Sequence, residues 1–205
     1  MNASSAESGS KRPKGPRTPT TTIAILAVST ALVFVVTRLV YIPISITGIP
    51  QQEFDFGDIM IFTFAWTFGP TVGGFAGGVG SAINDITLGG LYAPFTLVVK
   101  GTEGLLAGYV AQRNFHWGQR VSWVLASCAM VGGYFITNLL FIGVFVGPSL
   151  PLDARVLGAA WEVPFDIAQV VAGGIIGRYV SSYLKASLPW TLLSHREGTG
   201  SAGQS

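Results

Sequence analysis

Charged and amide side chains are scarce in this chain, and those that fall inside its apolar runs are the residues equipped for chemistry. Lys100 and Glu103 lie three apart within APFTLVVKGTEGLLAG, and Thr96 precedes Lys100 by four. Glu162, Asp166 and Gln169 recur at spacings of four and three within WEVPFDIAQVV. Tyr134, Asn138 and Phe141 repeat that spacing in a third apolar run. Each set falls on one face of a helix. A charge at the centre of a membrane helix costs about 2.5–3.5 kcal/mol on insertion scales, so such groups face a partner or a cavity. Carboxylates, one amine and amides are suited to holding a small polar molecule by hydrogen bonds and charge. Asn84, Asp85, Tyr92 and Trp161, near the ends of neighbouring apolar segments, complete the candidate binding set.

The same residues argue against other chemistries. The two histidines, His116 and His195, lie in polar segments, so no histidine-based metal site assembles, and the single Cys128 excludes an internal disulfide. A net charge of +2 is too small to suggest nucleic acid as a partner. Gly73 and Gly78 have the spacing that opens a phosphate-binding loop, but Val79-Gly80-Ser81 stands where Gly-Lys-Ser/Thr is required. Gly73, Gly74, Gly77, Gly78 and Gly80 read instead as a close helix-packing face, and Gly173 and Gly177 repeat the four-residue spacing. No cofactor is implied.

The elements that must position these residues are membrane helices. Of 205 residues 49% are hydrophobic and 11% charged, against roughly a quarter charged in a soluble domain. Residues 1–20 read as a disordered basic tail carrying Lys11, Arg12, Lys14 and Arg17. Residues 21–186 read as one domain, an all-α bundle of six transmembrane helices, and 187–205 as a disordered polar tail. The first helix spans Thr21 to Ile42 and is ended by Pro43; residues 43–56 form a loop. The run from Ile59 to Asn84 is split by Gly69-Pro70 into two short helices. A fourth helix runs from Pro94 to Gln112, a fifth lies within Val121–Gly147, and a sixth runs from about Leu157 to Leu184.

Splitting that run puts both termini on the cytoplasmic side. Lys11, Arg12, Lys14, Arg17, Arg113, Arg120, Arg178, Lys185 and Arg196, nine of twelve basic residues, then lie inside. Counting 1.5 Å per residue puts Lys100 and Glu103 roughly 9 and 14 Å below the outer end of their helix, and Asn138 and Asp166 roughly 14 and 13 Å below theirs. Three polar stripes at matched depth enclose a pocket open to the outside, capped by residues 43–56. The competing expectation is that Lys100 pairs with Glu103 or Asp166 only to neutralise charge. Ala27 and Ala31, four apart on the first helix, form a flat patch suited to helix packing within the bundle or to docking a partner helix.

The chain resembles the substrate-binding S component of energy-coupling factor (ECF) vitamin transporters, over roughly Thr21 to Leu184, and within them the subgroup labelled riboflavin S components. The resemblance is carried by FDFGDIMIFTFAWTFGP, GGFAGGVGSAINDI, YAPFTLVVKGTEGLLAG and VPFDIAQVVAGGIIG. It implies a six-helix bundle in the cell membrane that captures a vitamin or vitamin precursor near the outer face. It also implies a transmembrane T component and two ATPase subunits encoded elsewhere, which agrees with the lack of a Walker motif here. The Ala27-x-x-x-Ala31 pair is similar to the family's alanine motif that contacts the T component, and residues 43–56 stand where the family has its gate. A loaded S component of this kind is thought to topple in the membrane to release its ligand inside. No enzymatic activity is implied. The alternative is an autonomous, proton-coupled secondary transporter or channel using Glu103, Glu162 and Asp166 as a relay; it would be supported by internal repeats, and the sequence shows no clear one.

Overall fold

The computed structural model describes residues 18–40, 42–44, 52–113, 117–142, 144 and 150–193. Helix α1 (Pro19–Leu39) opens on Thr18, whose hydroxyl accepts from the Thr21 N–H at 3.3 Å, with Pro19 at the first helical position where no N–H is needed. It ends at Leu39 rather than at Pro43: Val40 leaves helical geometry and the chain enters a strand. That strand, β1 (Ile42–Ile44), pairs antiparallel with β2 (Gln52–Phe54), Pro43 opposite Glu53. Residues expected to be a loop therefore form a hairpin, in which two short segments satisfy each other's backbone. Its turn lies outside the described residues, as do most of the two expected tails.

The Gly69-Pro70 break is where the sequence puts it. Helix α2 (Gly57–Phe68) is only 12 residues long, and α3 (Pro70–Thr87) follows at once. Gly69 joins them with φ 99°, a left-handed conformation that a side chain would strain. Helix α4 (Ala93–Ala111) and helix α5 (Gly118–Phe141) agree with expectation to within a few residues. The expected sixth helix starts earlier and is interrupted. It consists of α6 (Leu152–Ala160), a turn at Trp161-Glu162, and α7 (Val163–Ser187), with Pro164 in the first turn of α7, where a proline starts a helix rather than continuing one. A one-turn helix, α8 (Trp190–Leu193), follows. Among the described residues three stretches are long and apolar enough to cross a membrane: Pro19–Leu39, Gly118–Phe141 and Leu152–Ser187.

Glycine sets the helix spacing. A Cβ on Gly77 would lie 2.9 Å from the Lys100 carbonyl oxygen, and one on Gly78 2.8 Å from that of Leu97, so α3 and α4 meet backbone to backbone. Gly80 does the same for α1, 2.9 Å from the Thr30 carbonyl. Gly173 and Gly177 bring α7 onto α2, where a Cβ would lie 2.9 Å from the Asp58 Cβ and 3.1 Å from the Ile59 carbonyl. One apolar core joins Phe62, Trp66, Val99, Ala107, Ala126, Met130 and Val170; a second joins Val33, Ile61, Phe64, Phe68, Val72 and Ala76.

Candidate functional site

The close approach of α2, α4, α5 and α7 gathers most of the candidate residues at one end of the bundle. Lys100, on α4, is 3% exposed. Its ammonium pairs with Asp58 Oδ1, at the start of α2, and lies 3.8 Å from Glu103 Oε2 and 5.6 Å from the centre of the Tyr134 ring. The partner of Lys100 is therefore Asp58, which the sequence reading did not include in the site. Glu103 and Asp58 are wholly buried, and Asp166 is 1% exposed.

Around this pair a polar shell closes. Asn138, on α5, donates to Glu162 Oε2 and accepts from the Tyr92 hydroxyl at 3.0 Å. The Tyr92 ring stacks on Phe141 with centroids 4.4 Å apart. The Tyr134 hydroxyl donates to Thr96 at 3.3 Å. Gln169, on α7, lies against Asp55; with its amide nitrogen turned inward it donates to Oδ2 and to the backbone carbonyl, each at 3.2 Å. Asp55 also accepts from the Gly57 N–H at 2.5 Å, which fixes the turn from β2 into α2. Burial, then the neighbouring Asp58 and Asp85, push the Asp55 carboxyl up to about 6, against the pull of Lys100 and the Gly57 N–H. Asp55, Asp58, Glu103, Glu162 and Asp166 act on one another and on Lys100 through space. Five buried carboxyl groups thus surround one ammonium.

Several of these groups retain open hydrogen-bonding atoms. Both oxygens of Glu103, Oδ2 of Asp58 and Oδ2 of Asp166 accept no hydrogen bond, and both side-chain atoms of the wholly buried Asn84 are likewise without one. Buried polar groups are satisfied in the great majority of cases, so a concentration of open acceptors is suited to receiving donors from a bound molecule. Asp85 is buried near the end of α3 and reaches Asp55 electrostatically. Trp161 is the outlier: it sits at the break between α6 and α7, 47% exposed. Ala27 and Ala31 lie on the exposed side of α1, beside Val28, Leu32 and Val35. Among the described residues no group of three or more histidine, cysteine or acidic side chains is arranged to hold a metal ion.

A helical bundle with three spans long and apolar enough for a membrane among its described residues, and a cluster of buried charged and amide side chains at one end, fits a multi-pass membrane protein, and comparison narrows it. The family model of the ECF-type riboflavin transporter S component matches residues 17–186. The chain belongs to this family: it is the S component, the substrate-binding membrane subunit, of an ECF-type transporter. It is 42% identical over 154 residues to an uncharacterised protein of Pyrococcus woesei, covering 75% of this chain and 94% of that protein. It is 29% identical over 164 residues to the thiamine precursor transporter HmpT of Lactococcus lactis subsp. cremoris, covering 80% and 87%. Its fold is that of a solved bacterial ECF transporter S component, with a TM-score of 0.60 at 20% identity over 82% of this chain and 99% of that one.

Proposed function

We propose that this chain lies in the cell membrane with both termini in the cytoplasm and captures a vitamin or vitamin precursor from outside for ATP-driven uptake. The substrate is held between α2, α3, α4, α5 and α7 by Glu103, Asp166, Asn84 and Asn138, with Lys100, Glu162, Gln169, Asp85 and Tyr92 around it. Tyr92 and Phe141 supply a flat apolar wall. The observation that carries this reading is the excess of buried carboxyl groups over the one lysine, several with open acceptor atoms. Such a chamber favours a small substrate rich in N–H or O–H donors, or one bearing positive charge, over an anionic one. The similarity to a thiamine precursor transporter supports a vitamin precursor as the substrate. The hairpin of β1 and β2, joined to the chamber through Asp55 and Gln169, is the gate.

Energy comes from a separate T component and two ATPases. Ala27 and Ala31 are the docking patch: small side chains on an exposed helix face let another helix approach closely. Two measurements test this. Mass spectrometry of the small molecule that copurifies should identify a neutral or cationic donor-rich compound; a carboxylate or phosphate compound would overturn the assignment of the chamber. Ala27→Trp with Ala31→Trp should leave that compound bound and abolish copurification of the T component. Undiminished complex formation would remove α1 as the docking face.

A further inference from the structure

A groove runs between α5 and α7, starting at the opposite end of the bundle from the Lys100 cluster. Its polar end is a cavity of about 350 Å³ lined by Trp117, Gln119, Arg120 and Arg178. Gln119, Arg120 and Arg178 also line a second cavity of about 390 Å³, whose walls are Trp66, Trp123, Val124, Ile175 and Tyr179. Trp123 and Val124 pass it on to a third, of about 450 Å³, between Ser127, Cys128, Val131, Ile167 and Val171. The three are contiguous, positive at one end and apolar along the rest. From Arg120 to Val131 the groove climbs about 16 Å of helix, close to one leaflet's share of a hydrocarbon core about 30 Å thick.

The groove exists because of specific residues. The indole N–H of Trp123 donates to the Val170 carbonyl at 2.8 Å, and its ring occupies the space that Gly174 leaves free of a side chain. That contact braces α5 against α7 at one level. Above it, a Cβ at Gly132 would meet nothing within 4 Å. At the mouth Arg120 stacks over Trp117, 4.5 Å from the ring centre, which holds one guanidinium in place with its edge free. Neither Arg120 nor Arg178 forms an ion pair among the described residues. Two uncompensated guanidinium groups match a phosphodiester, which each can contact through paired N–H donors.

We infer that this groove binds an anionic phospholipid, its phosphate between Arg120 and Arg178 and an acyl chain along Trp123, Cys128 and Val131. A bound lipid would fill the gap between α5 and α7. The test uses the full chain in nanodiscs and native mass spectrometry. Wild-type protein exchanged into mixed phosphatidylglycerol and phosphatidylcholine should retain phosphatidylglycerol selectively. Arg120→Gln and Arg178→Gln should each lower that retention about fivefold, and Arg178→Lys should lower it less. Cys128, the only cysteine, gives a second readout: in phosphatidylglycerol nanodiscs a maleimide should label it more slowly than in phosphatidylcholine, and the difference should vanish in the double glutamine variant. Equal retention of the two lipids, or displacement of the lipid by inorganic phosphate alone, would overturn the inference. Because the arginines lie far from Lys100 and Glu103, copurification of the vitamin-like compound should be unchanged, so this result and the substrate reading stand or fall separately.

Discussion

The two ends of the bundle treat buried polarity in opposite ways. At the end near the termini, buried polar side chains tie helices together. Trp66 donates to Ser122 at 3.0 Å, joining α2 to α5, and Thr67 donates to Ser181 at 3.0 Å, joining α2 to α7. At the other end the buried groups are carboxyls and amides, and Glu103, Asp58, Asp166 and Asn84 keep atoms with no hydrogen bond. A membrane gives no water with which to satisfy such atoms. One end is therefore built for cohesion, and the other stores open valences at a cost that a ligand can relieve.

The largest expected effect comes from removing the one cation of the open end. Lys100→Ala leaves Asp58 and Glu103 buried without their counter-charge, and breaking a buried pair by deleting one partner costs about 3–5 kcal/mol. The variant should show a strongly lowered melting temperature in detergent. Adding Asp58→Asn should restore most of the loss, because the uncompensated charge is removed with its partner. If the double variant is no better than the single, Lys100 stabilises the bundle by something other than this pair.

Glu103→Gln separates binding from folding. It removes a charge that accepts no hydrogen bond, so stability should hold or rise. A hydrogen bond to a charged group contributes about 1.5–3 kcal/mol, so affinity for the copurifying compound should fall at least about tenfold by calorimetric titration. Loss of stability with unchanged affinity would turn the comparison around and make the open end structural.

Much of this contrast was readable in the chain. The spacing of Lys100 and Glu103, and of Glu162, Asp166 and Gln169, puts each set on one helix face, and the structure buries all five. Asp58 was not found, because its partner is 42 residues away and a carboxylate at the start of a helix reads from sequence as a loop acid or a favourable end charge. The hairpin was missed because three-residue strands carry too little pattern. The interruption at Trp161-Glu162 was missed because the residues on both sides are compatible with one continuous helix, apart from Pro164. The glycine seam was legible as packing, though not which helix each glycine faces.

The cohesive end should answer to volume rather than charge. A Cβ on Gly108 would lie 2.5 Å from the Pro70 Cα, and overpacking of this kind costs about 1–3 kcal/mol. Gly108→Ala should lower the melting temperature while leaving affinity for the copurifying compound unchanged. A loss of affinity would mean that strain passes from the α3–α4 seam to the chamber.

The last effect belongs to Asp55, which stands where the hairpin of β1 and β2 meets the buried polar cluster. Its carboxyl is raised from 3.8 to about 6, first by burial and then by Asp58 and Asp85. A folded state that holds this proton more tightly than the unfolded chain is favoured at low pH, and that advantage is lost as pH rises between those two values. Wild-type protein should therefore lose stability relative to Asp55→Asn across that window and run parallel to it above. The comparison with Asn isolates Asp55 from the other carboxyl groups, which titrate in both proteins. Parallel curves throughout would mean that Asp55 is already ionised in the folded chain, held so by Lys100 and the Gly57 N–H, and would move the hairpin junction from the open end of the comparison to the cohesive one.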